Sequence, residues 1–171
     1  MLFGSKRRFE LKKPLEVKVG EILRQRSQRL AVAESCTGGL ISHLITNVSG
    51  SSTYYLGGVT AYANEAKIRL LGVNPETLEQ YGAVSEQTVL EMARGIRYAL
   101  GADIGISVSG IAGPLGGTPD KPVGTVWIGL SSAQVKLARN YLWAGDRLSI
   151  KEQSAQAALQ LLVEHLQAAN G

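Results

Sequence analysis

The sequence predicts an α/β domain, a three-layer α/β/α sandwich around a mixed, mostly parallel central sheet. Three observations carry that expectation. Short apolar or β-rich runs alternate with helical stretches through the first two thirds of the chain, the pattern of strand–helix–strand units. Two β-rich runs, 123–133 and 135–145, then follow each other closely, which fits an antiparallel pair. The length of 171 residues suits one domain with a sizeable core.

Each element has a local reason. Pro14 suits a first helical turn, and PLEVKVGEILRQRSQ (14–28) repeats apolar residues at Leu15, Val19, Ile22 and Leu23. LAVAE (30–34) is short and unbroken, as a buried strand is. GGLISHLITNVSG (38–50) reads as a helix ending at Gly50. LGGVTAYA (56–63) is β-rich. NEAKIRLLG follows as a short helix with Asn64 as cap and Gly72 as stop, and NPETLEQYG gives another. SEQTVLEMARGIRYALG (85–101) has Ser85 as cap and Val89, Met92, Ala93, Ile96 and Leu100 on one face. ADIGISVSG is a strand entering a Gly/Pro-rich loop, 110–124. Residues 146–170 close the sequence as a long amphipathic helix with Ile150, Ala157, Leu161 and Leu162 inward.

Composition narrows the function classes. One cysteine, Cys36, excludes an internal disulfide framework and points to a reducing cytoplasm. No apolar run approaches the roughly 18 residues of a membrane helix, and MLFGSKRRFELKK does not read as a signal peptide. The net charge of +4 is unevenly placed: residues 1–29 hold nine Lys/Arg against three Glu, and the remainder nine against eleven acids. Residues 1–13 form a basic arm, expected to be loosely attached, ahead of a single domain over 14–171. The body lacks the aromatic interleaving of single-strand binders, so nucleic acid is not the expected partner. A homo-oligomer stays open.

In sheets of this kind ligands sit at the carboxyl ends of the strands. Three features fall there: Ser35 in AESCTGG, the segment 62–67, and the loop 110–124. At a strand-to-helix turn Ser35 would present its hydroxyl beside the N–H groups of Thr37, Gly38 and Gly39, which suit an anion or a developing oxyanion. A serine or threonine here serves equally well as a helix cap. His43 and His165 lie on helices away from the predicted strand ends, so a histidine base is not expected. A neutral lysine can replace it. Lys67 sits in a first helical turn beside Ala63, Leu70 and Leu71, where dipole and burial both disfavour its charge. On local physics alone the reading as a surface lysine that snorkels comes first. Tyr62, at a strand end, could pass or orient a proton, or simply pack. Ser109, Gly110 and Gly113 could offer donors to a phosphate or amide. Arg147 could clamp a phosphate, or pair with Asp146 or Glu152 at the surface. Cys36 ranks below Ser35 as a nucleophile for want of a histidine partner. No metal-ligand spacing is present.

The stretches AESCTGGLISHLIT, GSSTYYLGGVTAYANEAKIRLLGV, GAVSEQTVLEMARG, SGIAGPLGGTPDKPVGTVW and GDRLSIK resemble the CinA C-terminal domain family, from about Leu15 to Leu166. Its enzymes are nicotinamide-nucleotide amidohydrolases. The resemblance implies a mixed α/β/α fold and hydrolysis of the carboxamide of nicotinamide mononucleotide to nicotinate mononucleotide and ammonia. It implies Ser35 as nucleophile, Lys67 as base, Tyr62 as helper and Arg147 as substrate ligand, without cofactor or metal. Many relatives carry threonine where Ser109 stands. Longer members have an additional N-terminal domain with no counterpart in these residues. The family's association with competence and damage supports a second reading, a nucleotide-sensing or partner-binding module whose basic arm recruits nucleic acid or protein.

Overall fold

The structure, a computed structural model, describes residues 13–168. The basic arm expected over 1–13 lies outside them apart from Lys13, whose ammonium pairs with Glu21 at 2.8 Å. Helix α1 (Leu15–Arg26) leads into strand β1 (Leu30–Glu34) and helix α2 (Leu40–Thr46). A single 3-10 turn precedes strand β2 (Tyr55–Thr60). Helices α3 (Asn64–Leu71), α4 (Pro75–Tyr81) and α5 (Glu86–Leu100) come next. Strands β3 (Ile104–Gly110), β4 (Thr125–Ser131) and β5 (Lys136–Leu142) then lead to helix α6 (Arg147–Ala168).

The five strands lie in the order β2-β1-β3-β4-β5. β1 pairs in parallel with β2 and β3, while β4 runs antiparallel to both β3 and β5. Four strands therefore point one way and only β4 opposes them. Alternation in β1 divides the core. Leu30 and Val32 join the layer of α1, α2 and α6, and Ala31 and Ala33 join that of α3, α4 and α5. On the second face α5 lies close to the strands: a Cβ on Gly129 would sit 2.5 Å from the Val89 carbonyl, so only glycine fits.

The chain leaves β1 for β2 on one side and returns to β3 on the other. α2 covers one face on the way out and α3–α5 the opposite face on the way back. That reversal opens a crevice at the carboxyl end of β1.

Three local expectations are corrected. The helix expected to reach Gly50 stops at Thr46, because the chain tightens into i→i+3 bonds at Val48 (to Ile45) and Ser51 (to Val48). Asn64 is the first helical residue of α3 rather than its cap; Ala63 holds the cap position without a side-chain bond. Leu100 is 39% exposed, since α5 ends there and that last position is not covered by a following turn. Ser85 caps α5 as expected, accepting from the Thr88 N–H at 3.2 Å.

Candidate active site

Carrying the alternation of β1 onward sends Glu34 toward α2 and Ser35 toward α3. Both side chains are buried, and each meets what its face supplies. The Glu34 carboxylate accepts five hydrogen bonds: from the Thr37 hydroxyl (2.7 Å), the N–H groups of Gly39 (3.0 Å), Ile41 (3.1 Å) and Ser42 (2.9 Å), and the Ser42 hydroxyl (2.7 Å). Gly38 and Gly39 have φ of 64° and 99°, which lets the chain fold back over that carboxylate. Glu34 therefore nails the start of α2 to the end of β1 and fixes the backbone that carries Ser35.

On the other face Ser35 meets Lys67, 32 positions later in sequence. Lys67 Nζ lies 3.1 Å from Ser35 Oγ. It also donates to the main-chain carbonyls of Ala61 (2.9 Å) and Tyr62 (3.2 Å). Lys67 is 1% exposed, so it is no snorkelling surface residue. Burial lowers its pKa from the ordinary 10.5, with an opposing contribution from Cys36. No carboxylate pairs with it among the described residues. The Cys36 thiol is buried too, and burial pushes its pKa up to about 12. A thiol so placed stays protonated at neutral pH, and the polar group that faces the amine is the Ser35 hydroxyl.

A cavity of 280 Å³ opens over this pair, with Tyr62, Ser109, Gly113 and Arg147 in its walls. Arg147, at the start of α6, donates to the Gly113 carbonyl (2.7 Å) and to the Tyr62 hydroxyl (2.9 Å). It thus ties α6, the 110–124 loop and the end of β2 together, and makes no surface ion pair with Asp146 or Glu152. The Ser109 hydroxyl donates to the Ala83 carbonyl at 2.7 Å. Gly110 lines the same cavity. A larger cavity of 890 Å³ lies at the opposite end of the sheet, beside Arg26, Arg97 and His165. Its lining brings no serine hydroxyl and lysine amine together as the smaller cavity does.

Gly38 and Gly39 are a correction. The N–H groups of Thr37, Gly38 and Gly39 are expected to point outward at a ligand, but the Gly38 N–H donates to the Ser35 carbonyl (3.1 Å) and the Gly39 N–H to Glu34. A buried carboxylate recruits the nearest donors, and these are the loop's own. The three residues line a neighbouring groove of 340 Å³ between α2 and α6. Among the described residues, the N–H groups of Cys36 and Thr37 donate to no other residue. His43 lines that groove and His165 the far cavity; neither reaches Ser35.

The family model of the CinA C-terminal domain matches residues 12–166. The chain belongs to the CinA C-terminal domain family. It is 54% identical over 146 residues to a CinA-like protein of Salinibacter ruber, covering 85% of this chain but 35% of that one. It is 50% identical over 147 residues to the nicotinamide-nucleotide amidohydrolase PncC of Enterobacter agglomerans, covering 85% of this chain and 90% of that one. Among solved structures, a CinA superfamily protein of Klebsiella pneumoniae superimposes with a TM-score of 0.87 at 37% identity, over 90% of this chain and 96% of that one. The chain thus spans little more than a third of the first curated relatives it matches, such as that of Salinibacter ruber, and nearly the full length of the Enterobacter agglomerans enzyme.

Within this CinA-family domain, Glu34 is the residue that sequence reasoning missed. Its signal was an acid closing an otherwise apolar strand directly before a helix start, where a carboxylate finds free N–H groups. The carbonyls of Ala61 and Tyr62 were missed as well, because a backbone oxygen leaves no mark in a sequence. Among the described residues, no helix is long and apolar enough to cross a membrane.

Proposed function

We propose that this chain is an amidohydrolase that converts the carboxamide of nicotinamide mononucleotide to the carboxylate of nicotinate mononucleotide, releasing ammonia. The observation that carries the reading is the 3.1 Å approach of Lys67 Nζ to Ser35 Oγ. The PncC relative supports the substrate class.

A neutral primary amine has two N–H donors and one lone pair. The two carbonyls can only accept, so they take both N–H groups. The lone pair is then left facing Ser35 Oγ, the orientation a general base requires. Burial lowers the Lys67 pKa and so raises the neutral fraction.

The steps follow from this geometry. Lys67 takes the Ser35 proton as Oγ attacks the amide carbon. The N–H groups of Cys36 and Thr37, which donate to no other residue among the described ones, serve as donors for the oxyanion. The Lys67 ammonium returns its proton to the departing nitrogen, and ammonia leaves. Water, deprotonated by the same amine, hydrolyses the acyl-enzyme and frees Ser35. The Tyr62 phenol is held by Arg147, so it orients Arg147, while its carbonyl orients Lys67. Arg147, Ser109, Gly110 and Gly113 contact the nucleotide. Purified Ser35→Ala should release ammonia from nicotinamide mononucleotide at least a hundredfold more slowly than the parent, on the order of what a lost nucleophile costs. An unchanged rate would remove Ser35 from the chemistry.

A further inference from the structure

The 280 Å³ cavity over Ser35 lies at the low end of ligand pockets, which run to about 300–1,000 Å³. A nucleotide carboxamide seated with its amide at Ser35 must therefore extend beyond it. The 340 Å³ groove between α2 and α6 is next to it. Cys36 and Arg147 line the cavity while their chain neighbours Thr37 and Leu148 line the groove. One turn after Arg147 on the same face of α6 stands Lys151. Its Nζ would lie 3.5 Å from a Cβ placed on Gly38. That is ordinary contact distance, so the Lys151 ammonium sits directly over the Gly38 turn, whose φ of 64° favours glycine. Lys151 is half-buried, yet it makes no hydrogen bond or ion pair among the described residues. Its neighbour Glu152 lines the same groove without pairing to it. The cap of α6 is already filled, since Asp146 accepts from the Ser149 N–H at 2.8 Å. The cation left for a ligand in this groove is therefore the lysine rather than the helix end.

We propose that the groove between α2 and α6 is the subsite for the substrate's phosphate monoester, with Lys151 as its cation. The proposal deepens the amidohydrolase reading and rests on it for the identity of the substrate. Lys151 then sets specificity: the phosphorylated nucleotide is held at both ends, and the riboside at the amide end alone.

Ribose 5-phosphate, which carries the phosphate but no amide, tests the subsite without turnover. By calorimetry it should bind the parent protein more tightly than ribose does. Lys151→Gln should weaken it by about tenfold or more, the loss of one charge-assisted hydrogen bond, and Lys151→Arg should restore most of the affinity. In the ammonia assay Lys151→Gln should raise KM for nicotinamide mononucleotide by a similar factor. Its kcat and its turnover of nicotinamide riboside should be unchanged. The inference is overturned if Lys151→Gln binds ribose 5-phosphate like the parent. It is equally overturned if the parent prefers ribose 5-phosphate no more than ribose, or if riboside turnover falls in parallel. If the parent releases no ammonia from any substrate while ribose 5-phosphate still depends on Lys151, the subsite stands and the amidohydrolase reading falls.

Discussion

Replacing Lys67 with methionine removes one nitrogen and keeps nearly all of the buried stem. Ser35 Oγ loses a partner at 3.1 Å, and the carbonyls of Ala61 and Tyr62 lose theirs at 2.9 and 3.2 Å. Loss of a positioned base typically lowers a rate by about 10²–10⁴, or roughly 2.7–5.4 kcal/mol of transition-state stabilisation. The drop should appear in kcat for ammonia release, with KM little changed, because the amine acts on Ser35 rather than on the nucleotide. Adding Ser35→Ala should cost little more, since the two groups act as a unit. Circular dichroism would confirm that the variant is folded. The pH dependence gives a second readout. Lys67 must be neutral to act, so kcat/KM should rise with pH through its lowered pKa, and that limb should vanish in Lys67→Met. Stability carries the same signature. Between the lowered folded pKa and 10.5 the unfolded chain holds the proton and the folded chain does not, so stability rises with pH across that window. Below the window both states are protonated and the folded one bears the cost of a buried cation. Lys67→Met should flatten that slope. A folded Lys67→Met with parental kcat would refute the base assignment.

Three further outcomes follow from the same geometry. Glu34→Gln places an amide N–H₂ among five donors, so it should lower stability by about 2–4 kcal/mol. A thermal melt should show a fall on the order of 10 °C, and a shift within a degree or two would mean the carboxylate is not what holds α2. Tyr62→Phe should leave kcat within about tenfold of the parent and weaken nucleotide binding instead, because the phenol bonds Arg147 at 2.9 Å; a loss of kcat alone would return Tyr62 to the proton path. The native protein should resist iodoacetamide at pH 8 and react once unfolded, as Cys36 is buried with its thiol pushed up to about 12. Rapid labelling of the folded chain at that pH would contradict the burial.

Much of this domain was readable one segment at a time. The unbroken run LAVAE makes a buried strand, Ser85 makes a cap, and the spacing of Val89, Met92, Ala93 and Ile96 makes one face of α5. These features depend on neighbours within one or two turns, and local periodicity records them. Ser35 at a strand end and Lys67 in the first turn of a helix were visible for the same reason. Their meeting was not. It depends on β1 pairing with β2 in a parallel register that sets Glu34 beside Thr60, and on the rotation of α3 about its axis. A lysine has an apolar stem and a charged tip, so its type fits a snorkelling surface position and a buried one beside Ser35 alike. Only the packing of α3 against the sheet chose between them. The fate of the Gly38 and Gly39 N–H groups was decided in the same way. A glycine-rich turn announces available donors but not who takes them, and here the taker is the carboxylate of Glu34. The sequence by itself thus determined the order of the elements and the chemical types at the strand ends. The tertiary structure decided which of those groups touch, because contact across 32 residues depends on strand register and helix rotation, which no local window contains.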